Sequence, residues 1–360
     1  MAGRGERLSG ARLRGALAAG ASTPRTYTAS LGTLVTFGEN YQTSPLTDPD
    51  TDGLRRISVG LALDALATHV TAALADAGIR AILLKGPALA DWLYAGEPRP
   101  YSDVDLMIAR ADRVEAERLL EDLGFELVAL DILPHDRPHH ARTWVRPGGA
   151  AVDLHHTLIG IGASSELAWR ALTEETEWMQ LAVGEVEVLS RPARAFLVTL
   201  HAAQHGVLAA PQEDLNRAIE RLPLGGWETA ARLAERLDAL PAFATGLQLT
   251  PSGRTLATRL QIPEHTSAES LLRSWNEPKM ALGFAWLSQT SGFRPKLMLV
   301  GRKLVPQPAF LRAWSPLARR GRVGLAAAYA WRPLWLLLNA VPGYMAWRKA
   351  KKVARRRAPS

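Results

Sequence analysis

The sequence predicts an α/β (α+β) fold, with a small mixed sheet and its helices first and a mainly helical domain after it. Two observations carry this. Between residues 55 and 160, apolar residues switch repeatedly between helical and strand spacing, with Gly or Pro at most of the switches. From about residue 165 onward helical spacing dominates, interrupted by one short hairpin.

The elements follow in order. "SVGLALDALATHVTAALADAG" (58–78) has helical spacing and ends at Gly78. "IRAILLKG" reads as a short buried strand closed by Gly86, and Pro87 suits the first turn of the helix "ALADWLY". The loop "AGEPRPYS" leads to the strand "DVDLMIA" (103–109). "ADRVEAERLLEDLG" is an amphipathic helix ending at Gly124, "FELVAL" (125–130) a strand and "DILPHDRPHHAR" (131–142) a loop. "TWVRPGGAAVDLHH" (143–156) reads as a hairpin turning at Pro147-Gly148-Gly149. A second hairpin, "EWMQLAVGEVEVLS" (177–190), precedes the helix "RPARAFLVTLHAAQHGVL". This divides the chain into a basic, disordered segment (1–50), an α/β domain (51–190), a helical domain (191–290) and a basic, Trp-rich C-terminal segment (291–360).

Composition narrows the function. There is no cysteine among the 360 residues, which excludes disulfides, zinc-thiolate sites and thiol catalysis and suits a cytoplasmic setting. Residues 290–360 hold 16 Lys/Arg and no Asp/Glu, whereas residues 26–289 carry a net charge of −12. The chain is an acidic body with basic ends. No run near the N-terminus is apolar enough for a signal peptide.

"SDVDLMI" places two carboxylates in an otherwise apolar strand. Alternate strand residues share a face, so Asp103 and Asp105 lie together, with Cα atoms roughly 6.5–7 Å apart. Such a pair repels and is costly to desolvate unless a cation sits between. Asp153 of "AVDLHH" points into the same site if its strand neighbours the Asp-x-Asp strand. Three carboxylates are enough to hold two Mg²⁺ (or Mn²⁺) ions about 3.5–4 Å apart, the clamp used in phosphoryl displacement.

These separated elements resemble a family within the polymerase-β-type nucleotidyltransferase superfamily. They are Leu84-Lys85-Gly86, Ala88-Leu89, Leu93-Tyr94, Arg99, Ser102-Asp103-Val104-Asp105-Leu106, Val152-Asp153-Leu154-His155, Leu200-His201 with His205, and Asp214. The resemblance covers about residues 60–220. It implies transfer of a nucleoside monophosphate from an NTP to a hydroxyl-bearing acceptor, with release of pyrophosphate. Members tend to accompany exopolysaccharide or modified-peptide biosynthesis genes; the acceptor is left open among a sugar, a lipid-linked saccharide, a peptide and a protein. Asp103, Asp105 and Asp153 take the catalytic and metal-binding roles, and Lys85, Gly86 and Ser102 the nucleotide contacts. One departure stands at the phosphate turn. Pro87 follows Gly86, whereas better-known superfamily members place serine there, and proline removes a backbone donor.

Seven of nine histidines lie between 135 and 205. His201 and His205 share a helical face, but Ala202 stands where a zinc protease motif needs glutamate. His155 and His205 are expected to contact phosphate or acceptor, and the others to pack. At the C-terminus, Arg332, Pro333 and Pro342 interrupt an apolar, aromatic stretch too short to span a bilayer. An interfacial segment is expected, with 348–357 against anionic lipid on the inner face of the membrane. No base-reading motif accompanies the basic residues, which argues against nucleic acid as partner. Two rival readings are an Asp-x-Asp glycosyltransferase, which needs more strands before the motif, and a non-catalytic scaffold on a degenerate fold.

Overall fold

The computed structural model describes residues 49–128, 140–146, 151–206, 208–263, 267–275 and 279–356. The segment expected to be disordered lies outside these residues, except for its last two. So do most of the 131–142 loop, the Pro147-Gly148-Gly149 turn and the end of the 125–130 strand.

Seven strands form one mixed sheet. They are β1 (Ala81–Leu83), β2 (Val104–Ile108), β3 (Glu126–Leu127), β4 (Ala141–Val145), β5 (Ala151–His155), β6 (Thr176–Leu181) and β7 (Gly184–Leu189). Their order is β3-β4-β5-β2-β1-β7-β6. β2 runs parallel to β5, and β1 parallel to β7; the other neighbours are antiparallel. The second hairpin therefore extends the same sheet: β7 pairs with β1 through Leu83 and Val188.

Each face of the sheet has its own core, as strand alternation requires. Leu83, Val104, Leu106, Val152, Leu154 and Val188 pack against helices α1 (Pro49–Asp76) and α3 (Arg113–Asp122). The opposite side chains, including Ile82, Leu84, Met107 and Leu189, pack against α2 (Pro87–Tyr94), α4 (Ser165–Leu172) and α5 (Arg191–Gln204). Four further helices enlarge that second core: α6 (Ala209–Arg221), α7 (Leu224–Arg236), α8 (Leu240–Leu247) and α9 (Pro251–Arg259). Residues 57–76 of α1 are long and apolar enough to cross a membrane. Leu63, Leu66, Val70 and Leu74 are instead buried on the sheet.

The C-terminal part contains α10 (Ala268–Ser274), α11 (Lys279–Gln289), α12 (Phe293–Leu304), α13 (Pro308–Trp314) and the 36-residue α14 (Gly321–Arg356). The stretch in which Arg332, Pro333 and Pro342 interrupt the apolar run is one continuous helix, with both prolines inside it. Proline removes one backbone hydrogen bond and crowds the preceding turn. Here a buried face of Gly324, Ala328, Gly343, Ala346 and Ala350 holds the helix against its neighbours. The fit is close: a Cβ on Gly343 would lie 2.8 Å from Met280 Cβ.

Candidate active site

The site is assembled where β1, β2 and β5 present residues toward the helical core. Asp105 shares its strand face with Met107, which packs into that core. Asp153 lies directly opposite Asp105 in the parallel β2–β5 register, and His155 opposite Met107. Asp105, Asp153 and His155 each offer a ligand atom, all within 4.8 Å of one another. The expected neighbourhood of Asp105 and Asp153 is thus present, and an imidazole joins it.

Asp103 lies at the edge of this group. β2 starts at Val104, so Asp103 lies in a bend before the strand and outside the 4.8 Å group. Its carboxyl still senses the site. Burial, then Asp105 and Asp153, push its pKa up to about 6 against the pull of Lys85.

Asp105 is the hub. It is 3% exposed. Its Oδ1 accepts a hydrogen bond from Lys85 Nζ at 2.8 Å and lies 3.0 Å from His155 Nε2. Burial alone would raise its pKa; the Lys85 ammonium and His155 outweigh this and hold it well below the usual carboxylate range. The same contact acts on Lys85: burial disfavours its charge, but Asp105, with Asp103 and Asp153 behind it, raises its pKa. Lys85 is therefore a charged member of the site rather than a solvated strand end.

Lys85 precedes the turn that starts α2. Gly86 caps that helix with φ 60° and ψ −122°, a conformation that glycine adopts without a Cβ clash. The Tyr101 ring closes over it, and the Tyr101 hydroxyl donates to Asp64 of α1 at 2.5 Å. Ser102 Oγ and His155 Nδ1 are both buried with no hydrogen-bond partner among the described residues. Orphaned donors and acceptors beside a carboxylate cluster are what a polar ligand or cation would satisfy.

An ion-paired knot ties the helical layer to the site. Asp214 of α6, 2% exposed, accepts from Arg99 Nη2 at 2.7 Å, Arg99 Nε at 3.1 Å and the Tyr94 hydroxyl at 2.7 Å. The three residues come from α2, the following loop and α6, so the knot fixes how these meet. Burial alone would lower the Arg99 pKa; Asp214 first, then Tyr94 and the nearby Asp105 charge, raise it instead.

His201, expected only to pack, lies nearer the charged centre than anticipated. Its pKa is pushed well below the ordinary imidazole value, first by burial and then by Lys85, His205 and Arg99. Its ring meets His205 edge-on, with centroids 4.7 Å apart. The two histidines share one helical face, as their spacing implies.

The sequence profile of a family described as "uncharacterised nucleotidyltransferase" matches residues 59–252. The chain belongs to this family. The match takes in every site residue described above, from Lys85 to Asp214, and stops before α10. No curated protein matches the chain by sequence. Among solved structures, the antibiotic-resistance factor ANT(2'')-Ia aligns at 17% identity and TM-score 0.37, over 49% of this chain and 94% of its own. An antigenic nucleotidyltransferase-like protein from Paracoccidioides brasiliensis aligns at 18% identity and TM-score 0.35, over 57% and 92%.

The donor set fits a divalent cation. Two carboxylates and one imidazole suit Mn²⁺ as well as Mg²⁺, because nitrogen is a better ligand for the softer ion. Asp105 would then share its carboxylate between that ion and Lys85.

Proposed function

We propose that this nucleotidyltransferase-family protein moves a nucleoside monophosphate from an NTP to a hydroxyl-bearing acceptor, releasing pyrophosphate. The observation that carries the reading is the opposed pair Asp105–Asp153 with His155 alongside and Lys85 bound to it. An acidic centre of this kind meets a polyanionic nucleotide only when cations neutralise it. A divalent ion held by Asp105 and Asp153, with His155, would neutralise phosphate oxygens and lower the pKa of a bound hydroxyl.

The chain's own residues have the remaining roles. Lys85 offers a fixed ammonium to the phosphates from the end of β1. Gly86 lets the backbone approach them at the start of α2, where the helix end favours anions. Pro87 supplies no N–H there. Asp103, the member of the cluster with the raised pKa, lies beside Ser102 and its orphaned hydroxyl. Asp153 would help remove the acceptor's proton. The Arg99–Asp214–Tyr94 knot holds the helical layer over this face.

One observation favours the scaffold reading. Asp105 is already satisfied by Lys85 and His155, as a site retired from catalysis would be. Thermal unfolding with each of the four NTPs, with and without Mg²⁺ or Mn²⁺, separates the two. A ligand at a hundred times its Kd stabilises by about 2.7 kcal/mol. A metal-dependent shift with one NTP, absent in Asp153→Asn, is expected. No shift with any nucleotide in a folded protein would leave the scaffold reading standing.

A further inference from the structure

The C-terminal helix α14 has two unlike faces. Its inner face is Gly324, Ala328, Arg332, Gly343, Ala346 and Ala350, all buried. Its outer face carries Trp331, Leu334, Leu337, Leu338, Val341 and Met345, all exposed. Leu337 is 70% and Met345 65% exposed, unusually open for such side chains. At 1.5 Å per residue, this apolar stripe runs for roughly 20 Å. Between residues 323 and 347 the only charged side chain is Arg332, and it faces inward. Contiguous exposed apolar surface of this extent marks an interaction site.

The ends of the helix say what covers it. Arg319, Arg320 and Arg322 flank one end and six Lys/Arg within 348–356 the other. Nothing acidic occurs anywhere in 290–360. A second copy laid on this stripe would bring its own wholly basic surround against the first, so like charges oppose a symmetric dimer. An anionic phospholipid surface satisfies both parts, since acyl chains accept the stripe and headgroups pair with the flanking cations. Aromatic rings lie at the junction, with Arg348 over Tyr344 and Lys351 over Trp347. Amphipathic rings of this kind suit the headgroup level. The buried inner face, packed on α10 and α11, keeps the helix from being surrounded by lipid.

We infer that the outer face of α14 is a docking surface for an anionic membrane, on which the helix lies without crossing. The inference is independent of the proposed reaction. Its test is co-sedimentation of the full chain with vesicles of phosphatidylcholine alone and of phosphatidylcholine with phosphatidylglycerol (3:1). Pelleting with the anionic vesicles is expected, at least about tenfold stronger than with neutral ones and weakening with salt. Leu337→Glu with Leu338→Glu abolishes it while leaving the melting curve in place, because both side chains are exposed. Lys351→Glu with Lys352→Glu weakens it by about tenfold or more. Equal binding to neutral vesicles, or none to either, would overturn the inference. So would a dimer in light scattering that the Leu337/Leu338 variant dissociates.

Discussion

Lys85 and Arg99 in the α/β body hold their charges against carboxylates, whereas Arg332 in the C-terminal helices is buried against aromatic rings. Lys85 pairs with Asp105, and Arg99 with Asp214. Arg332, 5% exposed, has no acid partner among the described residues. Its guanidinium lies 4.5 Å from the Trp314 ring centre, 5.0 Å from Trp335 and 5.3 Å from Phe310. Its Nε donates to Lys303 O at 3.3 Å, and Nη1 has no partner among the described residues. The consequences differ in sign. Asp105 and Asp214 raise the pKa values of their cations, while burial lowers that of Arg332. Residues 290–360 carry no acid, so Arg332 is sheltered by ring faces and one carbonyl, whose pull is weaker than that of a carboxylate.

Five variants sharpen or break this comparison. The largest effect is expected at Asp153. Asp153→Asn should lower nucleotidyl transfer on the order of 10³-fold or more, since charge stabilisation at such a centre is worth several kcal/mol. The fold should survive, because Asp153 is only partly buried and does not hold Lys85. Asp105→Asn is the less clean test, since it removes the partner of Lys85 as well.

Asp214→Ala should destabilise the protein by about 3–5 kcal/mol in denaturant unfolding, because it strands Arg99 among buried groups. Tyr94 loses its acceptor in the same variant.

Arg80 and Glu187 come next. Arg80 Nε donates to Glu187 Oε2 at 3.0 Å, and Glu187 also accepts from Thr176. Arg80→Met should cost about 1–2 kcal/mol, as Arg80 is half exposed. Arg80, then Thr176, hold the Glu187 pKa below its ordinary 4.5. A depressed carboxylate adds stability above the unfolded value and loses it as pH falls through the folded one. Stability should therefore drop below about pH 4.5, and Glu187→Gln should flatten that part of the curve.

The smallest effect is expected at Arg332. Arg332→Met should change stability by less than about 1 kcal/mol, because the lost ring contacts are offset by relief of an unpaired buried charge. A loss as large as that of Asp214→Ala would show that the aromatic box holds its cation as firmly as a carboxylate does.

How much of the site the sequence disclosed depends on the residue. Asp105 and Asp153 were readable, because strand alternation and apolar neighbours single out a carboxylate that must face something polar. For Asp103 alternation gave the neighbourhood of Asp105 but not the strand boundary: β2 begins one residue later, and where a strand begins depends on its neighbours. His155 and His201 both belong to the family pattern, but that His201 lies near Lys85 and Arg99 was not readable, because those neighbours come from distant segments. The continuity of α14 was hidden as well. Two prolines argue locally for breaks, and only the Gly/Ala face packed against α10 and α11 overrides them.

By itself the sequence determined what is local and periodic. It set the kinds of element, the absence of thiol chemistry, the acidic body with its basic C-terminus and the residues suited to phosphate and metal chemistry. Only the tertiary structure decided that β5 lies parallel beside β2 with Asp153 opposite Asp105, that Lys85 closes onto that pair and that Asp214 receives Arg99. These contacts join residues 20 to 115 positions apart. Their geometry follows from strand order and helix packing, which depend on the whole chain burying its apolar surface at once.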